Sequence, residues 1–355
     1  MVAYKDEERG TWFVSFHYTD WTGANKRKMK RGFATRKDAL EWEHHFLAQQ
    51  SENLDMSFGD FVVIYLSDME KRLRESTMIN KRYLINLKIL PYFKDKKISE
   101  ISAPDIRKWQ NEIMKGNYAK TYLKSIQEQL SAIFNYAVKY FDLRKNPCHV
   151  AGGMGKHSAD EMDFWTLDEF QSFIEMMMNK RVSYMGFMIL YWTGMRLGEM
   201  LALTVRDIDV ENKTIRINKS LQRIKGRDVV TEPKTPRSNR VITIPDVLLD
   251  DIKDYIGSLY GVRAEDRLIP VTKSYMEHEI KRGIAESGVK DIHIHCLRHS
   301  HTALIASLGA TPVEAAERLG HEKVQTTLNI YSHVMPGRHE EIAGKLDQAY
   351  KESLE

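Results

Sequence analysis

Hydrophobic and polar positions divide the chain into stretches of different period. Trp12, Val14, Phe16 and Tyr18 alternate with Phe13, Ser15 and His17, the period of a half-buried strand. Asp20-Trp21-Thr22-Gly23 reads as a turn, and a second strand runs through Lys30 to Phe33. Thr35 with Asp38 three residues on resembles a capping box, opening a helix with Ala39, Trp42 and Phe46 on one face. From Ser57 to about Val150 the pattern is helical. Ser57 with Asp60, and Ser102 with Asp105, mark helix starts. The clearest helix spans about 119–141, with Leu123, Ile126, Leu130, Ile133, Phe134 and Ala137 as its buried stripe.

Ala151-Gly152-Gly153-Met154-Gly155-Lys156 breaks that pattern and opens a polar connector ending near Phe164. Thr166 with Glu169 starts a new helix, and further helices follow at about Ser183–Thr193 and Leu197–Leu203. Three short strands are expected at Thr214–Asn218, Asp228–Glu232 and Asn239–Ile244. Helices return after Pro245, and Thr311-Pro312-Val313-Glu314 is a strong helix start. Beyond Pro336-Gly337 a last amphipathic helix puts Ile342, Leu346 and Tyr350 on one stripe.

Composition adds limits. At 355 residues and 42% hydrophobic, the chain has material for two or three cores, which excludes a disordered or fibrous protein. The most apolar run, Tyr184 to Trp192, is too short to cross a bilayer, and the first residues lack an apolar signal region. Only Cys148 and Cys296 occur, so no disulfide framework is expected and a reducing cytoplasm is the natural home. Fifty-three Lys and Arg against 49 Asp and Glu leave a net charge of only +4, so the distribution of charge says more than its sum. Lys26, Arg27, Lys28, Lys30, Arg31, Arg36 and Lys37 form a run with no acidic residue. It is either a lysine-guarded sheet edge or a β-ribbon offering cations to phosphates. The helical region is also rich in Lys and Arg, with Lys120 and Lys124 at the start of its clearest helix.

Four segments concentrate candidate chemistry. In Thr193-Gly194-Met195-Arg196-Leu197-Gly198-Glu199 a glycine ends one helix, Arg196 begins the next, and Glu199 can face it. Glu232-Pro233-Lys234-Thr235-Pro236-Arg237-Ser238-Asn239-Arg240 is expected to be a hairpin tip holding Lys234 on a stiff loop. The third is His293-Ile294-His295-Cys296-Leu297-Arg298-His299-Ser300-His301, and the fourth runs from Leu319-Gly320-His321 to Tyr331-Ser332-His333. A metal reading of the histidines is weak, because no second ligand pair stands at suitable spacing. A phosphate-binding face is favoured over it, with His295 and Arg298 three apart.

These residues, Arg196 in TGMRLGE, Lys234 in PKT, His295-x-x-Arg298-His299, Leu319-Gly320-His321 and Tyr331 in NIYSH, stand in the order that defines tyrosine recombinases. The whole chain resembles integrases of phages and conjugative transposons. The resemblance implies a multidomain α+β fold: a three-stranded sheet plus helix at 1–55 binding arm-type DNA, an all-α core-binding domain at 56–150, a linker at 151–164, a mainly α catalytic domain with a small antiparallel sheet at 165–335, and a tail helix at 336–355. It implies Tyr331 as nucleophile forming a 3′-phosphotyrosine. Arg196, Arg298 and His321 would hold the scissile phosphate, His295 would act as base and Lys234 as general acid, with Glu199 orienting a cation behind them. No metal, ATP or other cofactor is expected. The implied partners are double-stranded DNA at core and arm sites, three further protomers with tail exchange, and an accessory factor that bends DNA or directs excision. The rival readings are a type IB topoisomerase, a DNA-binding module without catalysis, and a chromosome-dimer-resolving recombinase, which usually lacks an N-terminal arm-binding unit.

Overall fold

The computed structural model describes residues 2–7, 9–19, 25–50, 56–156, 163–233, 236–334 and 339–353. The chain divides into two compact units, Met1–Asp160 and Glu161–Glu355.

The first unit opens with an antiparallel sheet of β1 (Ala3–Asp6), β2 (Thr11–Thr19) and β3 (Asn25–Phe33), in that order. β1 has four residues of which only Ala3 is buried, too little alternation to read as a strand. Gly32, at φ +94°, is the extra residue of a bulge opposite Trp12 and Phe13. Helix α1 (Arg36–Gln50) covers one face of the sheet. It starts as expected: the Asp38 N–H donates to Thr35 Oγ1 (3.1 Å) and the Thr35 N–H to Asp38 Oδ2 (3.2 Å). Val14, Ala3 and Ala39 form the small core, with Trp12, Phe16 and Trp42 packed against it. The turn expected at Asp20–Gly23 lies outside the described residues.

Helices α2 (Phe58–Glu70), α3 (Glu75–Leu84), α4 (Leu90–Phe93), α5 (Ala103–Met114), α6 (Lys120–Tyr140) and α7 (Pro147–Ala151) complete this unit. Between α3 and α4 the helix widens to a π turn at Ile85–Ile89, where Pro91 has no N–H to donate. The Lys88 carbonyl there accepts from the Trp109 indole at 2.9 Å. The stripe expected on α6 is buried along its length and meets Phe58, Phe61, Phe93 and Trp109 in one core. Gly155 returns the connector over the start of α6: its φ is +79°, and a Cβ there would lie 2.1 Å from the Lys120 carbonyl. That carbonyl accepts from the Lys156 N–H at 3.1 Å.

The second unit contains α8 (Leu167–Glu175), α9 (Arg181–Thr193) and α10 (Leu197–Ala202), then strands β4 (Ile208–Asp209), β5 (Thr214–Ile217), β6 (Ser220–Ile224), β7 (Arg227–Thr231) and β8 (Arg240–Thr243). After them come α11 (Asp246–Gly257), α12 (Lys273–Ser287), α13 (Cys296–Ser307), α14 (Pro312–Leu319), α15 (Gln325–Val334) and α16 (His339–Glu352). The strands form two sheets, β4-β5-β8 and β6-β7, where one was expected. β4 has only two residues, and β6 buries Leu221 and Ile224, a spacing of three that hides its period. β7 pairs with β6 through a hairpin that turns at Lys225-Gly226, and β8 pairs with β5; the loop tip expected to hold Lys234 falls on residues outside those described. On α16 Leu346 and Tyr350 are exposed, while Pro336-Gly337 and the Ile342 side chain lie outside the described residues.

Candidate active site

Two helix ends build the site. Gly194 ends α9 in the left-handed region (φ +63°), and a Cβ there would come within 2.6 Å of His301, so the chain can turn sharply only at glycine. The turn sets Arg196 immediately before α10. Arg196 Nη1 donates to Glu199 Oε1 at 2.8 Å, and its N–H to Glu199 Oε2 at 3.0 Å. Glu199 Oε2 also accepts from Arg240 Nη2 at 2.9 Å. Burial pushes the Glu199 carboxyl up, but Arg240 and Arg196 outweigh it and hold the carboxyl below its ordinary value.

Arg298, in the first turn of α13, is only 3% exposed. Its Nη1 donates to the Gly194 carbonyl at 2.8 Å and its Nη2 to the Leu319 carbonyl at 2.7 Å, so the C-terminal ends of α9 and α14 fix it in place. Burial, then Arg196 and Arg240, lower its guanidinium to about 9. His295 stands immediately before α13 without a side-chain capping bond, and burial, then Arg298 and Arg196, push its imidazole below the ordinary value. His321 shares a 2.8 Å hydrogen bond between its Nδ1 and Thr327 Oγ1; burial, Arg298 and Arg196 push it down to about 3. Arg196, His295, Arg298, His321 and Glu199 are thus brought near one another. Lys234 lies outside the described residues.

Tyr331 does not join them. It is 8% exposed and packs on Ile305, Ala306 and Ala315. Its hydroxyl donates to the Ala310 carbonyl (2.9 Å) and lies 3.2 Å from the Thr311 carbonyl. Burial and the Glu314 carboxylate push the phenol up, opposite to the shift an attacking phenolate needs. The Thr311 carbonyl begins α14 and the Leu319 carbonyl that holds Arg298 ends it, about 12 Å apart at 1.5 Å per residue.

Four residues without an assigned role belong to this centre. Arg240 is tied to Glu199, to the Arg318 carbonyl (2.9 Å) and to the Ser238 carbonyl (3.1 Å). Its sequence signal is the strand period, which puts it on the same inward side as buried Ile242. His299, beside His295 at 5.5 Å between ring centroids, is buried with neither ring nitrogen hydrogen-bonded, and burial, His295 and Arg298 lower it to about 4. His301 and Arg318 pair beneath Gly194. Among the described residues no three His, Cys, Asp or Glu side chains could together hold a metal ion.

Residues 164–338 match the phage integrase family, 57–114 the SAM-like N-terminal domain of phage integrases, and 2–50 an arm DNA-binding domain. The ICEBs1 integrase of Bacillus subtilis (strain 168) is 31% identical over 353 residues, covering 94% of this chain and 95% of the relative. The chain belongs to the phage integrase family of tyrosine recombinases. The integrase of Mycobacterium phage D29 is 28% identical over 74% of this chain and 71% of its own length. The fold matches the Tn1549 transposon integrase solved with circular intermediate DNA (TM-score 0.68, 19% identity, 81% of this chain and 99% of that one). It also matches a lambda integrase tetramer bound to a Holliday junction (TM-score 0.60, 17% identity, 90% and 95%).

In this integrase the basic run divides by register. Lys26, Lys28 and Lys30 pair with Tyr18, Phe16 and Val14 and share the sheet face that α1 covers; Lys28 Nζ sits 5.4 Å from the centre of the Phe46 ring. Arg27 and Arg31 pair with His17 and Phe13 on the opposite face, where Arg27 Nε donates to Ser15 Oγ and Arg31 lies over Phe13. Arg36 and Lys37 start α1, and Lys37 lies 3.8 Å from Glu41. Lys120 and Lys124 occupy the first turns of α6, under the returning connector. No described helix is long and apolar enough to cross a membrane.

Proposed function

We propose that this integrase inserts and excises a mobile element by cutting and rejoining one strand of each of two duplexes through a 3′-phosphotyrosine, passing through a Holliday junction and repeating on the other strands. The observation that carries this reading is the arginine cluster on two helix ends. Two of the five N–H donors of Arg298 go to carbonyls and three remain for a phosphate. Arg196, half exposed beside them, offers a second fork. Fixed cations are what phosphoryl transfer chiefly requires.

In the reaction, Tyr331 leaves the Ala310 carbonyl and its oxygen attacks the scissile phosphorus while neutral His295 takes the phenol proton. The bond from phosphorus to the 5′ oxygen breaks, and that oxygen takes a proton from Lys234, leaving a 5′-hydroxyl. His321 adds a donor to a non-bridging oxygen. The phosphodiester's energy is kept in the tyrosyl link, so no ATP or metal is called for.

We assign residues 1–55 to arm-type sites through Lys26, Arg27, Lys28, Lys30, Arg31, Arg36 and Lys37, and 56–150 with 165–335 to the core site, Lys120 and Lys124 included. The protein would act in the cytoplasm as a tetramer, with helix 336–355 exchanged between protomers and an accessory bending factor setting direction. The deciding assay mixes the protein with nicked duplexes carrying its element's ends, without metal or ATP, on a denaturing gel. A covalent adduct absent in Tyr331→Phe is expected; tight specific binding without an adduct would make the cluster a phosphate clamp of a non-catalytic DNA-binding module.

A further inference from the structure

We propose that Arg318 and His301 are a pair of positioning residues that set the aim of Arg298 at the scissile phosphate and hold Arg240 in place on Glu199; the proposal rests on the phosphotyrosine reading above. The argument begins with free carbonyls. The last carbonyls of a helix have no partner within it. At the end of α9 three carbonyls are satisfied by these side chains: Tyr191 by His301 Nδ1 (2.8 Å), Trp192 by Arg318 Nη2 (3.3 Å) and Gly194 by Arg298 Nη1 (2.8 Å). At the end of α14 the Arg318 carbonyl takes Arg240 Nε (2.9 Å) and the Leu319 carbonyl takes Arg298 Nη2 (2.7 Å).

Arg318 joins the two ends. Its Nε donates to His301 Nε2 at 3.0 Å and its Nη1 to the Thr243 carbonyl at 3.0 Å, the last residue of the strand that Arg240 begins. Because His301 Nε2 accepts from an arginine, its proton is on Nδ1, where it reaches Tyr191. His301 is 2% exposed, and burial followed by the Arg318 charge holds it neutral, at about 3. Each peptide that the pair holds thus lies two or three residues from Arg240 or from the Gly194 carbonyl that holds Arg298. Forked hydrogen bonding to phosphate is strict in angle. A shift of the α14 end would tilt Arg298 through the Leu319 carbonyl and move Arg240 with it.

A structural role and a positioning role predict different substrate dependence. Replacing a non-bridging oxygen of the scissile phosphate by methyl removes its charge and with it most of the demand for aimed arginines. On nicked phosphodiester duplexes, Arg318→Met and His301→Leu should lower the single-turnover cleavage rate about 10- to 100-fold, the range seen when groups behind first-line ligands are removed. On the matching methylphosphonate duplex, each variant should stay near the wild-type rate on that substrate. His301→Gln, which can still accept from Arg318, should recover most of the loss. Arg318→Lys keeps the charge without the fork and should not recover it; should Arg318→Met fail to fold, this variant carries the same comparison. Equal losses on both substrates in a variant that melts like wild type would overturn the proposal. A wild-type protein that forms no Tyr331-dependent adduct would instead overturn the functional reading beneath it.

Discussion

The hydroxyl of Tyr331 is 2.9 Å from the carbonyl of Ala310, to which it donates. The packing of α15 on α13, with Tyr331 against Ala306, makes this a stable resting place. Removing that hydroxyl should therefore cost little in stability, about 1 kcal/mol, the net worth of one such bond. Tyr331→Phe should abolish covalent attachment while leaving the affinity for core-site duplex within a few-fold of wild type. A denaturing gel and a binding titration check the two halves. Binding lost together with attachment would show that Tyr331 serves the fold and not the chemistry.

The Glu199 carboxylate is bonded to both Arg196 and Arg240. Removing one partner of a buried ion pair leaves its mates uncompensated, typically at about 3–5 kcal/mol. Glu199→Gln should lower the melting temperature of the free protein and restore part of it when core-site DNA is bound, because the phosphate replaces the lost negative charge. Thermal melts with and without duplex measure this. A variant whose stabilisation by DNA equals that of wild type would place Glu199 outside the phosphate's field.

What could be read from the chain beforehand was mostly local. The boxes at Thr35, Thr166 and Thr311 and the Arg196–Glu199 contact join residues three apart, and each forms as the spacing suggests. Arg240 to Glu199 spans 41 residues and Arg318 to His301 spans 17, so no period in the sequence could announce them. The identity of Tyr331 as a candidate follows from its motif. The direction of its hydroxyl depends on α14 and α13 being packed together, and only coordinates supply that.

His299 sets a pH dependence. Its folded value of about 4 lies below the ordinary 6.5, and His321 is depressed similarly. Between those values the unfolded chain binds protons that the folded one does not, so stability falls as pH drops from about 7 toward 4. Glu199 acts in another window: its carboxyl is already depressed, so its contribution is lost only as pH falls below the ordinary carboxylate range. Both ring nitrogens of His299 lack partners, and an apolar side chain of similar size avoids that penalty. His299→Leu should melt no lower than wild type at pH 7 and show a shallower decline between pH 7 and 5. An unchanged slope would mean that His299 is protonated in the fold.

The two faces of the N-terminal sheet should differ in their dealings with DNA. Arg27 and Arg31 stand on the face that α1 leaves open, whereas Lys28 and Lys30 share the covered face, with Lys28 over the Phe46 ring. Each phosphate contact contributes roughly one counterion to the salt dependence of binding. Arg27→Glu with Arg31→Glu should therefore flatten the slope of log affinity against log salt for arm-site duplex by about two, and Lys28→Glu with Lys30→Glu by less. Cleavage of core-site duplex should be unaffected by either pair, as by deletion of residues 1–55. Titrations from low to moderate salt separate the faces. Equal slopes for both double variants would show that the ribbon meets DNA by its edge, and a slope unchanged in both would return the basic run to the role of a charge-guarded strand edge.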